Sequence, residues 1–274
     1  MPSPERPVHT GVRAAAMPVF APLFQPGTEE VTVRWLTVHV PVAAEVSDAV
    51  LPQGLTSAAE PTVGLWIAEF IGAEFHSVSG VERRPSYLQG GLSLRCRRDG
   101  GADGAYALLT YVAGLNHGIL GRELFGLPKK QLRSVTLDEE AGRLRFAMTS
   151  ALGEPLVAGE AELGPTAHAA PAPDWFRRHF TVKAIPSAEG PGTDGPAFDV
   201  CKLVEIPWRM TDAAPVRGGA ASLVWGGGSS DPLHLFAPTQ PPSARYGTAR
   251  LGIDYGKYLA DVEPPHAFGR PSWG

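Results

Sequence analysis

The sequence predicts an α+β fold that is mostly antiparallel β with a few short helices. Three observations carry this. Runs of β-branched and aromatic residues of strand length recur along the chain, helix-like stretches are few and short, and 32 glycines and 27 prolines in 274 residues break the chain too often for long helices.

In chain order, residues 31–40 read as the first strand, because they are rich in β-branched and aromatic residues with no breaker. A short helix over 43–51 precedes strands at 62–70, 92–97 and 105–112. A helix over 116–125 ends at Gly126, a plausible left-handed cap. A hairpin is expected around Asp138 to Gly142, a short helix over 174–179, and strands at 180–185, 200–205, 221–225 and 245–253. Two Pro/Gly/Ala-rich stretches, 163–173 and 186–196, read as surface loops rather than linkers, since neither half has enough strands to close a barrel and no repeat separates them. The chain is therefore read as a single domain over 1–274, with 1–19, broken by Pro2, Pro4 and Pro7, as a loosely ordered N-terminal arm.

Composition narrows the function classes. Charged residues make up 19% and hydrophobic ones 43%, which suits a folded globular chain. The net charge of −4, with no basic run, argues against nucleic acid as a partner. No apolar stretch is long enough for a membrane span and the N-terminus carries no signal core, so a cytoplasmic protein is expected. Cys96 and Cys201 are each read as a buried thiol, and His76, His117, His168 and His234 lack ligand spacing, so no metal is expected. Gly226 to Ser230 lacks the Gly-Lys-Ser/Thr ending of a phosphate loop, so no nucleotide is expected either.

The informative segment is Gly121-Arg-Glu-Leu-Phe-Gly-Leu-Pro-Lys-Lys130. A helix stops at Gly126 and Pro128 sets an extended exit, so Lys129 and Lys130 start a strand and point to opposite faces. One of the pair can then enter a pocket. A lysine amine attacks a carbonyl only when deprotonated, and its resting pKa of roughly 10.4 must first fall through desolvation or a nearby cation. Desolvation is expected to dominate over repulsion from Lys130.

Gly-Arg-Glu followed by Pro-Lys-Lys resembles the active-site signature of the acetoacetate decarboxylase family. Leu51-Pro52, Glu60 to Val63, Tyr87 to Gly91, Phe180 to Pro186 and Leu233 to Phe236 agree with it in order, over roughly residues 20–260. The resemblance implies a cone-shaped β-barrel, a homo-oligomer of tetramer size or larger, and Lys129 as the Schiff-base nucleophile, the lysine itself serving in place of any cofactor. It also exposes departures. Gln89 and Trp66 stand where decarboxylases carry acids, and Val33 where they carry an arginine, with Arg34 on the opposite face.

With those acids absent, the expected reaction moves from decarboxylation towards that of pyruvate aldolase-dehydratases. There the lysine iminium of pyruvate loses a Cα proton and the enamine condenses with an aldehyde, with loss of water. Decarboxylation of acetoacetate or another β-keto acid is the first alternative, and a non-catalytic keto-acid-binding barrel the second.

Other site residues follow by strand parity. Tyr87 shares a face with Gln89, and both are expected to touch substrate. His39 shares a face with Val33, and reads either as a pocket residue or as a strand-end histidine bonded to a loop. Tyr255, in phase with Leu251 and Ile253, reads as a catalytic hydroxyl or a structural tyrosine. Arg122 could bind the substrate carboxylate and Glu123 could steady it or move a proton, or the two form a structural ion pair.

Overall fold

The structure, a computed structural model, describes residues 27–78, 80–98, 101–114, 119–164, 174–188, 198–211, 214–228 and 230–263. The expected N-terminal arm, His117, His168 and most of the two Pro/Gly/Ala-rich stretches lie outside the described residues.

Among the described residues, fourteen strands form one sheet. They are β1 (Gly27–Pro41), β2 (Thr56–Ser57), β3 (Thr62–Ser77), β4 (Gly80–Arg83), β5 (Tyr87–Arg97), β6 (Asp103–Ala113) and β7 (Lys129–Glu140), followed by β8 (Arg143–Ser150), β9 (Pro155–Leu163), β10 (Arg178–Pro186), β11 (Phe198–Thr211), β12 (Arg217–Trp225), β13 (Ser243–Ile253) and β14 (Lys257–Asp261). Helices α1 (Ala44–Val50) and α2 (Ile119–Phe125) and two 3-10 turns, Asp174–Arg177 and Leu233–Phe236, complete the set. Neither helix is long enough to cross a membrane.

Two strands fork, and the forks define the architecture. β6 pairs with β5 along one edge, while its other edge meets β10 at Ala105 and Tyr106 and β7 from Thr110 to Ala113. β13 pairs with β1 along one edge, and its other edge meets β12 from Ser243 to Tyr246 and β11 from Arg250 to Ile253. The result is two closed rings of strands. One runs β1–β3–β5–β6–β10–β11–β13; the other leaves β6 through β7, β8, β9 and β12 to β13 and shares the remaining strands. Only the β6–β10 and β6–β7 pairings are parallel. The sheet is thus mostly antiparallel, in agreement with the predicted class.

The shared strands explain the breaker-free apolar runs, because a strand between two rings buries both faces and loses polar alternation. On β1, Val33 and Trp35 pack in the first ring while Leu36, Val38 and Val40 pack in the second. On β3, Ala68 and Phe70 belong to the first and Val63, Leu65 and Ile67 to the second.

The structure departs from expectation in particular places. β9 was not foreseen, because Pro155–Leu163 contains small and acidic residues and a single β-branched Val157. The helix expected over 174–179 is a 3-10 turn that stops at Arg177, so His179 lies in β10. Both cysteines are free, Cys96 buried as expected but Cys201 only half-buried.

Candidate active site

The local sequence presents Lys129 as follows. α2 ends in a left-handed cap, with Gly126 at φ 77° and its N–H on the carbonyl of Arg122 at 2.9 Å. The chain then turns through Leu127 and Pro128, whose carbonyl accepts from the Thr110 N–H at 3.1 Å and pins the start of β7 against β6. Successive side chains diverge. Lys129 enters the first ring, whereas Lys130 Nζ bonds the Ser230 carbonyl at 2.6 Å and Asp231 Oδ1 at 2.8 Å on the other side.

The first ring encloses a cavity of about 170 Å³. Its apolar wall includes Val33, Trp66, Phe70, Leu124, Phe125 and Leu251. Such a volume lies well below the range of roughly 300–1000 Å³ usual for drug-sized ligands, so a small molecule is the natural guest. Burial in this wall pulls the Lys129 ammonium down to about 8, the largest effect; Glu29 opposes the fall and Arg84 reinforces it. About a tenth of the amine is then free base at pH 7, far more than an ordinary lysine supplies.

α2 also closes over the lysine. A Cβ on Gly121 would stand 2.9 Å from both Cε and Nζ of Lys129. Only glycine leaves the amine where it is.

Polar groups gather at one end of the cavity. Gln89 is 6% exposed and Glu29 8%. Tyr87 is hydrogen-bonded to Gln89, stacks on Phe70 at 5.0 Å, and has its hydroxyl held above the usual range by burial. Arg84 reaches in from the segment after β4, giving Nη1 to Glu29 at 2.7 Å and Nε to Glu82 at 3.0 Å. Burial raises the Glu29 carboxyl, with Arg84 and Lys129 opposing.

The sequence offers no acid at positions 89 and 66 and no arginine at 33, and points to Arg122 and Glu123 instead; in the structure it is Glu29 and Arg84 that line the cavity. Extending the Val33 face of β1 two residues beyond Val31 reaches Glu29, but Thr28-Glu29-Glu30 reads as a solvated strand end. Arg84 arrives from a loop and has no local signature.

Opposite effects on the lysine follow. Glu29→Gln removes a charge that favours the ammonium, so the pH midpoint for imine trapping on Lys129 falls below about 8. Arg84→Met removes a repelling cation and moves that midpoint up. Borohydride trapping across a pH series reads both.

Four expected site residues lie elsewhere. α2 turns Gly121, Leu124 and Phe125 inward, at helical spacing, so Arg122 and Glu123 face away from the cavity. Arg122 is exposed and only approaches the backbone carbonyl of Lys129 at 3.4 Å. Tyr255 follows the end of β13, is 47% exposed, and accepts the Gly27 N–H at 2.7 Å; the inward parity of Leu251 and Ile253 ends with the strand. His39 shares the face of Val33 but lies behind the turn at Asp174–Arg177, packed on Trp175 and Phe176 with ring centroids at 5.8 and 6.4 Å. It does not line the cavity.

Burial lowers both His39 and His179 to about 4. Each folded value lies below the unfolded one of roughly 6.5, so the unfolded chain binds more protons and stability drops as pH falls from about 6.5 towards about 4. Each histidine accounts for at most ~3 kcal/mol. Denaturant titrations between pH 7 and 4.5 should show this loss, and His39→Phe should remove about half of it, leaving the share of His179.

His179, Ser93, Trp35 and Trp208 also line the cavity, and none was foreseen as a site residue. His179 was hidden by its assignment to a helix. Among the described residues, no group of three His, Cys, Asp or Glu side chains could hold a metal ion.

Comparison with known proteins places this geometry. The family model for acetoacetate decarboxylase (ADC) matches residues 15–262. No curated protein matches the sequence. Among solved structures, the enduracididine biosynthesis enzyme MppR complexed with pyruvate is similar at 17% identity and a TM-score of 0.69, covering 87% of this chain and 93% of that one. The same enzyme complexed with the condensation product of pyruvate and imidazole 4-carboxaldehyde gives 18%, 0.69, 87% and 91%. The acetoacetate decarboxylase of Legionella pneumophila subsp. pneumophila str. Philadelphia 1 gives 18% and 0.68, covering 86% of this chain and 88% of that one. At such identities the likeness shows a common fold.

Proposed function

The chain belongs to the acetoacetate decarboxylase family, and from that premise we propose that it is a Schiff-base lyase that joins pyruvate, or a similar 2-keto acid, to an aldehyde and eliminates water. The observation that carries this is the Lys129 amine, enclosed by apolar walls beneath Gly121 and lowered to about 8. The free amine adds to the keto carbon and water leaves, giving a lysine iminium. Loss of a methyl proton converts it to an enamine, whose carbon attacks the aldehyde. The hydroxyl so formed leaves as water, and hydrolysis of the iminium returns the lysine.

Glu29 is the group suited to carrying the methyl proton, because its raised carboxyl can both accept and return it. Arg84 Nη2 and the Gln89 amide are suited to the substrate carboxylate, a role first expected of Arg122. Pyruvate and its condensation product as ligands of the MppR neighbour support the substrate class.

Borohydride added with pyruvate tests the reading. A reduced pyruvyl adduct on the Lys129 peptide, together with exchange of the pyruvate methyl protons in D₂O, is expected. No adduct with any keto acid sinks it, and an adduct without exchange indicates a binding barrel instead.

The Glu29 carboxylate favours a second reading. A buried anion beside a bound β-keto acid destabilises its carboxylate, so CO₂ loss from the same iminium is the competing reaction. Rapid CO₂ release from acetoacetate, without condensation, would replace the first reading with this one.

A further inference from the structure

α2 is seven residues long, and a helix of that length does not hold its shape or its place by its own hydrogen bonds. Yet it carries Gly121, whose closeness to Lys129 Nζ leaves no room for a Cβ, and Leu124 and Phe125 of the cavity wall. Something outside the helix must fix it. Its C-terminal end shows where, because the last carbonyls of a helix have no partner within it.

The Phe125 carbonyl accepts a hydrogen bond from Thr181 Oγ1 on β10. Thr181 is fully buried and shares a face of β10 with His179 and Lys183. One residue after Phe125, Gly126 lies so close to β10 that a Cβ on it would run into the Lys183 Cα, backbone that cannot give way. Two successive residues at the end of α2 are thus fastened to two alternate residues of β10, one by a hydrogen bond and one by direct backbone contact.

From that joint the path to the amine is short. The Leu127 N–H returns to the Gly121 carbonyl at 3.2 Å, which ties the start of α2 to its exit. Phe125 packs with Ala107, Leu127, Val204 and Ile206, and Lys129 follows two residues after Leu127. Thr181 itself does not line the cavity, so it acts on whatever binds there only through α2.

We propose that Thr181 is a positioning residue for Lys129: its hydroxyl holds the end of α2 down on β10 and so keeps Gly121 and Phe125 closed over the amine. The inference rests on the lysine reading above, which gives the amine its task. Without the hydroxyl, the Phe125 carbonyl is left buried and unpaired, and water drawn in beneath the helix is its readiest replacement partner. Water at that point reaches the amine and relieves the burial that keeps its ammonium form disfavoured.

The test replaces the hydroxyl by a methyl of the same shape. Thr181→Val is expected to move the pH midpoint of pyruvate trapping upward from about 8 by about one pH unit, and to slow trapping at pH 7 by about tenfold, in step with the loss of free amine. Thr181→Ser keeps the donor and should trap within about twofold of the original rate. Thr181→Ala differs from that variant by the hydroxyl alone and should match Thr181→Val, so the serine and alanine pair decides if valine disturbs the fold. The midpoint is also read without pyruvate, from acetylation of Lys129 by acetic anhydride across the same pH series. An unmoved midpoint in Thr181→Val and Thr181→Ala, even with a lower melting temperature, makes the bond merely structural and overturns the proposal, as does Thr181→Ser behaving like Thr181→Ala. No pyruvate adduct in the unaltered protein, with the acetylation midpoint still raised by Thr181→Val, overturns the lysine reading instead and leaves the positioning role standing.

Discussion

Lys129→Met is expected to abolish the borohydride adduct and to lower turnover by a factor on the order of 10³ or more, with the fold intact. Methionine has nearly the length of lysine and suits the apolar wall around it, so the substitution removes the nucleophile without opening a void. It also removes an amine whose charged form is penalised by burial. Thermal stability near neutral pH should therefore hold or rise while activity disappears. Lys129→Arg should fail equally in catalysis, because a guanidinium cannot shed its proton at accessible pH. Retained turnover in either variant would remove Lys129 from the chemistry.

Gly121→Val should reduce pyruvate trapping by about 10²-fold, the usual cost of moving a reacting atom by an ångström. Its Cβ alone stands 2.9 Å from the lysine Cε and Nζ, and those atoms end a flexible chain, so the lysine yields rather than the backbone. Gly121→Ala offers a sharper contrast. Glycine inside a helix costs roughly 0.5–1 kcal/mol relative to alanine, so the alanine variant should melt no lower than the original and still trap pyruvate more slowly. A variant that loses stability and activity together would mean that Gly121 serves the helix rather than the lysine.

The sequence disclosed those parts of the site that depend on local geometry. A capped helix, a proline and a lysine pair were enough to aim Lys129 inward and Lys130 outward, and strand parity brought Tyr87 and Gln89 to the cavity beside Val33. Parity failed where an element ended earlier than its pattern. Tyr255 continues the phase of Leu251 and Ile253, but β13 stops at Ile253. His39 keeps the phase of β1, yet a turn far along the chain lays Trp175 and Phe176 in front of it.

Arg84 and Trp208 were illegible for a different reason. Neither carries a local signal, and each becomes part of the site only when distant strands close into a ring. The fold class was readable because composition and breakers are local properties. The forks at β6 and β13 were not, since each depends on a strand edge changing partners midway.

Those forks bear on how such a protein can diversify. β1, β3 and β5 each expose one set of residues to the cavity and the alternate set to the packed ring behind it. Positions such as Val33, Trp66 and Ser93 can therefore be exchanged while Val38, Leu65 and Leu92, which pack in the ring behind, remain untouched. One-residue spacing separates recognition from mechanical support, so libraries that vary only the inward-facing set should yield altered substrate preferences at little expense in melting temperature.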